Sequence, residues 1–283
     1  MRKCYLLILP VLLLACSRVE TPKSPILVVE GWIESGAAPV VLLSESVPVL
    51  DQQEIVPRDL VNNVAKWAKV TVSDGTRTEV LTGMTDADYF PPYIYTSGTM
   101  KGEVGKTYTL TVEYKDYKAT ATTTIPAPVP IDRVFVREVR DSMVTAVCAF
   151  TDPPASGNCY KVFTRTESKD KHYHPSALAM ATDETLNGYT EIFLYSTQRL
   201  MDNIFQTNIH QGDSLWIKLC TMDRKAYDYW NNFEATLTGN MLNTPNSRYV
   251  LDNMMQGASG YWIGYGVDEP KFLDTSGPAP LTQ

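Results

Sequence analysis

His172 and His174 stand two residues apart, so on an extended strand both imidazoles would share one face and could grip a single metal ion. Such an ion needs further ligands, for which the chain offers His210, its only other histidine, and scattered carboxylates. Lys169, Asp170 and Lys171 beside the pair favour a solvated loop, and no metal is expected there. Asp86-Ala87-Asp88 puts two carboxylates close together, which suggests calcium. No spaced oxygen series of the EF-hand kind follows, and a surface turn is the expectation. Gly105-Lys106-Thr107 invites comparison with a phosphate loop, but the glycine required five positions earlier is Met100, and a strand pattern follows where a helix is needed. Gly257-Ala258-Ser259-Gly260 misses the spacing of a nucleophile elbow, and neither Gly-x-Ser-x-Gly nor His-Glu-x-x-His occurs. A carboxylate pair for glycoside cleavage is defined by its separation in the fold and has no sequence signature. The residues ask for no enzyme and imply no cofactor.

Two other stretches carry chemistry of a different kind. Residues 89–95 (YFPPYIY) concentrate Tyr89, Phe90, Tyr93 and Tyr95 around two prolines. Tyrosine offers a flat apolar face with a hydroxyl at its edge, suited to sugars or protein surfaces, and prolines stiffen a loop and lower the entropy lost on binding. These four are the candidate ligand-binding residues; the competing reading is that the rings pack under a sheet or along an edge strand. At the amino terminus, Arg2 and Lys3 precede the apolar run 5–14, and Leu13-Leu14-Ala15-Cys16 follows. This is a secretory signal too short to span a bilayer, with the cysteine placed as in a bacterial lipobox. Cleavage before Cys16 and acylation of its thiol and amino group would anchor the chain, at roughly 0.8 kcal/mol per buried methylene.

Composition narrows the partners. The 283 residues carry a formal charge of −7, and losing Arg2 and Lys3 makes the rest more acidic, which argues against nucleic acid. Cys4 leaves with the signal and Cys16 would carry the lipid, so Cys148, Cys159 and Cys220 remain, an odd set without a CxxC pair. They read as buried small hydrophobes, with a Cys148–Cys159 bridge across one hairpin left open.

The elements that would hold these residues are mostly strands. Residues 26–34 and 40–46 read as a β-hairpin, 51–60 as a loop, and 68–73 with 79–82 as a second hairpin about Asp74-Gly75. Residues 108–114 and 117–125 alternate strictly, as a half-buried antiparallel sheet requires. Pro126, Pro128 and Pro130 then mark a boundary. Strand patterns recur at 131–140, 143–150, 158–166, 189–196 and 214–222. Behind Asp223 as N-cap, Ala226, Trp230, Phe233 and Leu237 share one helical face, with Gly239-Asn240 as the stop. The Tyr227, Tyr229, Trp230 cluster belongs to the buried side of that helix. A glycine-rich strand, 261–267, comes last.

Val28-Val29-Glu30-Gly31-Trp32-Ile33 soon after the lipobox, Gly105-Lys106-Thr107-Tyr108-Thr109-Leu110, the prolines at 126–130, Asp223 to Trp230 (DRKAYDYW) and Asn253…Gly257…Gly260-Tyr261 occur in an order that resembles domain-of-unknown-function family 4249 of bacterial lipoproteins. The resemblance implies an outer-membrane location and the company of TonB-dependent receptors, with the periplasmic and cell-surface faces both open. The expected organisation is a signal peptide 1–15, tether 16–25, immunoglobulin- or transthyretin-like β-sandwich 26–125, linker 126–130, second mainly β domain with one helix 131–273, and frayed tail 274–283. The expected function is a lipid-anchored binding or accessory lipoprotein of an uptake system. A structural or adhesive surface protein and a hydrolase of glycans or peptides are the alternatives.

Overall fold

The computed structural model of the chain describes residues 26–46, 63–184, 188–201, 204–241 and 254–277. Cys16, the signal, the tether and the expected loop 51–60 lie outside the described residues.

The protein is mainly β. Its first half contributes β1 (Leu27–Glu34), β2 (Val40–Glu45), β3 (Lys69–Ser73), β4 (Thr78–Val80), β5 (Thr82–Met84), β6 (Ile94–Thr96), β7 (Thr107–Tyr114) and β8 (Tyr117–Thr124). Then come β9 (Arg133–Arg140), β10 (Met143–Thr151), β11 (Cys159–Thr166), β12 (His174–Thr182) and β13 (Tyr189–Leu194). The remainder is β14 (Ser196–Met201), β15 (Ile204–Asn208), β16 (Ser214–Met222), helix α1 (Arg224–Met241), β17 (Ser259–Val267) and β18 (Lys271–Asp274).

One long sheet runs through both halves, in the order β15-β14-β12-β11-β16-β17-β1-β2-β6-β5, with β18 paired to β16. Two smaller sheets, β4-β3-β7-β8 and β13-β10-β9, close it into sandwiches. Period-two alternation assigns the faces: Leu27, Val29 and Ile33 of β1 meet Val70, Leu110 and Val112 in the first core. In the second core, Val162 of β11 and Leu215, Ile217 and Leu219 of β16 meet Val144, Ala146 and Phe150 of β10. The opposite face of the long sheet, with Phe163, Cys220, Ile263 and Tyr265, is covered by Ala226 and Trp230 of α1. Asp223 caps that helix, its Oδ1 accepting the Ala226 amide at 2.8 Å. The helix does not stop at Gly239-Asn240 as expected but reaches Met241; a glycine inside a helix costs about 1 kcal/mol, which does not by itself end one.

The seam is β17. It lies parallel to β1 over Val28↔Ser259 to Glu34↔Tyr265 and antiparallel to β16 at Cys220↔Val267 and Thr221↔Gly266. Its glycines let backbones come close. Gly260 has φ +121°, and a Cβ there would sit 1.8 Å from the Val29 carbonyl oxygen. Trp262 points into the first core, fully buried, with Nε1 donating to the Tyr108 carbonyl at 3.0 Å. The proline-bearing stretch 126–130 runs against this strand: a Cβ on Gly266 would lie 2.3 Å from the Pro126 oxygen. Ile125 is buried in the first core and Val129 and Ile131 in the second, while Ala127 and Pro130 between them are exposed.

Local expectations were met with shifts. The Asp74-Gly75 hairpin forms one residue late, with Asp74 N donating to Arg77 O and Gly75-Thr76 at the tip, Gly75 having φ +86°. The returning strand is 78–80, where 79–82 was expected. Residues 274–277 are not frayed: Thr275 is fully buried, its hydroxyl donating to the carbonyls of His210 and Asp213. The three described cysteines are free and buried, so no Cys148–Cys159 bridge forms.

Candidate functional site

The loop 85–93, between β5 and β6, leaves the first half and lies against the loop 167–173, between β11 and β12 of the second. Each loop is shaped by its own carboxylates. Asp86 Oδ1 accepts the Asp88 amide at 3.0 Å and its carbonyl accepts the Tyr89 amide, which turns the chain back. Asp170 does the same work opposite, its carboxylate accepting the Thr166 amide at 2.8 Å.

Where the loops meet, Tyr89 stacks on His172 with ring centroids 4.1 Å apart and tilts against Trp32 of β1 at 6.2 Å. Burial, and then the negative charge of Asp86, Glu34 and Asp88, push the Tyr89 phenol up to about 12, so it stays a neutral donor at any physiological pH. His172 Nε2 faces Asp86 Oδ2 at 3.7 Å, and Lys171 Nζ pairs with Asp88 Oδ2 at 3.0 Å. Next to this contact the aromatic surface continues over the long sheet. Lys218 Nζ lies 4.5 Å from the Tyr173 ring centroid while its ammonium pairs with Glu34. Burial pulls that ammonium down, but the Glu34 carboxylate more than offsets this, so its pKa is raised and it stays charged. Arg165 lies between the Tyr173 and Trp216 rings, 5.7 Å from each centroid, and Trp216 meets Phe272 edge-on at 5.3 Å. Trp32, Tyr89, Tyr173 and Trp216 are all half-buried, with Phe272 exposed. The result is a band of aromatic faces interleaved with cations beside the seam.

The four candidate residues at 89–95 separate. Tyr95 is 2% exposed in the first core. Its hydroxyl donates to the Ala65 carbonyl at 2.6 Å and accepts the Ala68 amide at 3.0 Å. Tyr95 is thus corrected from binding surface to core, because β6 turns its ring inward opposite Val41 of β2. Tyr93 packs half-buried against the same core, edge-on to Tyr95, with its hydroxyl on the Lys66 carbonyl. Tyr89 faces outward at the junction, and Phe90 is half-buried beside it. Sequence reasoning had offered His172 and His174 as one metal-binding pair, but the structure parts them. His174 turns to Asp170 at 3.8 Å while His172 turns to Asp86. The chain reverses before β12 begins, so the two rings do not share a strand face. Gly105-Lys106-Thr107 is a turn into β7, as expected. Tyr229 and Trp230 are buried on the inner side of α1, as expected, while Tyr227 of the same cluster is only half-buried. Trp216, Tyr173 and Phe272 were missed, since isolated aromatics on separate strands give no linear signal.

A pocket of about 420 Å3 lies between the loop 152–157 and the start of α1, lined by Asp152, Asp183, Glu184 and Arg224 among others. Its carboxylates are engaged: Asp152 accepts the Tyr160 hydroxyl, Asp183 the amides of Gly157 and Asn158, and Glu184 pairs with Arg224.

Fold and site together define a mainly β protein of two sandwiches sharing one sheet, with a band of half-buried aromatic side chains at the seam. The chain belongs to the family described as "Domain of unknown function (DUF4249)", which it matches over residues 17–270. No curated protein matches it. Among solved structures it is similar at 10% identity to a cytokine receptor complex, covering 89% of this chain and 98% of that one with a TM-score of 0.27. A two-domain fibronectin type III segment of chicken tenascin is similar at 10% identity, over 70% of this chain and 91% of that one, with a TM-score of 0.22. A DUF4785 family protein of Legionella pneumophila is similar at 9%, over 70% and 52%, also at 0.22. Among the described residues no helix is long and apolar enough to cross a membrane.

Proposed function

We propose that the protein is a lipid-anchored binding lipoprotein of the outer membrane, held through acylated Cys16 and working beside a TonB-dependent uptake receptor. The observation that carries the binding reading is the half-exposed band of Trp32, Tyr89, Tyr173 and Trp216 interleaved with Lys218 and Arg165. Flat rings bordered by cations suit sugars or peptide segments. The anchor reading is supported by the Leu13-Leu14-Ala15-Cys16 order, and the receptor by the company that family resemblance implies.

Metabolic labelling with a fatty acid tests the anchor: label is expected on the wild-type chain and absent from Cys16→Ser. Persistent label on the variant would overturn it. For the partner, the chain is purified from detergent-solubilised membranes after mild crosslinking. A TonB-dependent receptor in near-equal amount, lost with Trp216→Ala, is the expected result. Recovery of the chain alone, or of the receptor equally with both forms, would overturn the pairing through this surface.

A further inference from the structure

Asp86, Asp88 and His172 each present one ligand atom, and the three atoms lie within 4.8 Å of one another. We propose that they form a site for a divalent transition-metal ion of the zinc class, which pins the loop 85–93 to the loop 167–173 across the two halves. The first argument is an orphan. His172 Nε2 itself is shielded from solvent and has no hydrogen-bond partner, although the side chain is 33% exposed and the nitrogen faces a carboxylate oxygen 3.7 Å away. A buried ring nitrogen left unpaired is costly, and a cation between it and the carboxylates removes that cost. The second is preorganisation. Tyr89 stacked on the imidazole fixes the ring plane, and the Asp88 amide on Asp86 Oδ1 leaves Oδ2 turned toward His172. Outer contacts of this kind orient metal ligands. The third is the donor set. One imidazole nitrogen with two carboxylate oxygens suits zinc or manganese, whereas calcium takes oxygen ligands alone. Three protein ligands leave a position for water or for a group of the bound ligand. Lys171, on Asp88 at 3.0 Å and 76% exposed, is the local competitor, and its ammonium can move into water when a metal arrives.

The test uses the full chain, without a tag, purified in detergent and stripped with chelator, then titrated with Zn2+, Mn2+ or Ca2+ against a chromophoric competitor. One equivalent of Zn2+ is expected to bind saturably and to raise the melting temperature. Asp86→Asn keeps the turn, because its side-chain oxygen still accepts the Asp88 amide, yet supplies a poor ligand. It and His172→Ala should each weaken Zn2+ at least about 30-fold, given that losing even an outer contact costs about 10–100-fold. His174→Ala should change nothing, and Lys171→Ala should bind more tightly. Melts without metal confirm that each variant folds. Absence of saturable Zn2+ binding, equal binding by His172→Ala, or a preference for Ca2+ that survives His172→Ala would overturn the proposal.

Discussion

Tyr95 and Tyr89 belong to one short aromatic stretch, and the structure gives them opposite duties that a melt can separate. Tyr95 is 2% exposed, with its hydroxyl bonded to the Ala65 carbonyl and the Ala68 amide. Tyr95→Phe keeps the ring and strips both partners. Each buried group left unsatisfied costs about 1–3 kcal/mol. Tyr95→Ala also empties an aromatic site in the first core, a change that costs roughly 3–5 kcal/mol. In a protein of this size each kcal/mol moves the melting temperature by about 2–4 °C. The two groups left unpaired cost about 2–6 kcal/mol together, so the expectation is a drop of about 4–24 °C for Tyr95→Phe and a larger one, at least about 10 °C, for Tyr95→Ala. Tyr89→Ala loses a stacked, half-exposed contact worth about 0.5–1.5 kcal/mol, and should melt within about 5 °C of wild type. Its effect should fall on partner capture. Scanning calorimetry of the three variants beside the copurification assay gives both readouts. A Tyr95→Phe variant as stable as wild type, or a Tyr89→Ala loss as steep as that of Tyr95→Ala, would refute the assignment of one ring to core and the other to surface.

Lys161 is wholly buried, its ammonium 2.8 Å from Glu234 and beneath the Trp230 ring; Glu234→Gln should destabilise by about 3–5 kcal/mol, while Lys161→Met with Glu234→Met should recover most of that loss, measured by denaturant unfolding in a double-mutant cycle. Gly260→Ala drives a Cβ against the Val29 carbonyl at a φ of +121°, so it should lower unfolding free energy by several kcal/mol, about 1–3 of it from backbone strain, and increase hydrogen exchange in both β1 and β17. Burial pushes the Cys148 thiol up to about 12 and raises Cys220 and the phenols of Tyr261 and Tyr265. The unfolded chain would release these protons first, so stability should fall as pH rises through about 8.5 and again through about 10. Lys161, held low by burial, works in the opposite sense up to about pH 10.4. Native protein should therefore leave Cys148 and Cys220 unmodified by a maleimide at pH 8, and labelling within minutes would refute their burial.

Much of the fold was legible because strand burial has a period of two. Val70 and Val72, or Tyr108, Leu110 and Val112, announce their buried face in the order of residues alone, and so does the stripe of Ala226 and Trp230 behind Asp223. Turn chemistry at Asp74-Gly75 located a hairpin to within one residue, the shift arising because the Asp74 carboxylate takes the amides of Thr76 and Arg77. The lipobox reading of Leu13-Leu14-Ala15-Cys16 rests on linear order alone and lies outside the described residues. The partner of a strand is not encoded in that way. Nothing in residues 259–267 says that they pair with β1, which lies over 220 residues earlier, and through it join two sandwiches on one sheet. That pairing is decided by backbone approach at Gly260 and by Trp262 filling space beside Gly31, where a Cβ would come within 2.9 Å of the indole. The site follows the same rule. Asp86 and Asp88 looked like a surface turn and His172 like half of a pair with His174, because sequence spacing measures distance only along one element. Closing the sheet through β17 set the loop of one half against the loop of the other and brought these residues within reach of each other.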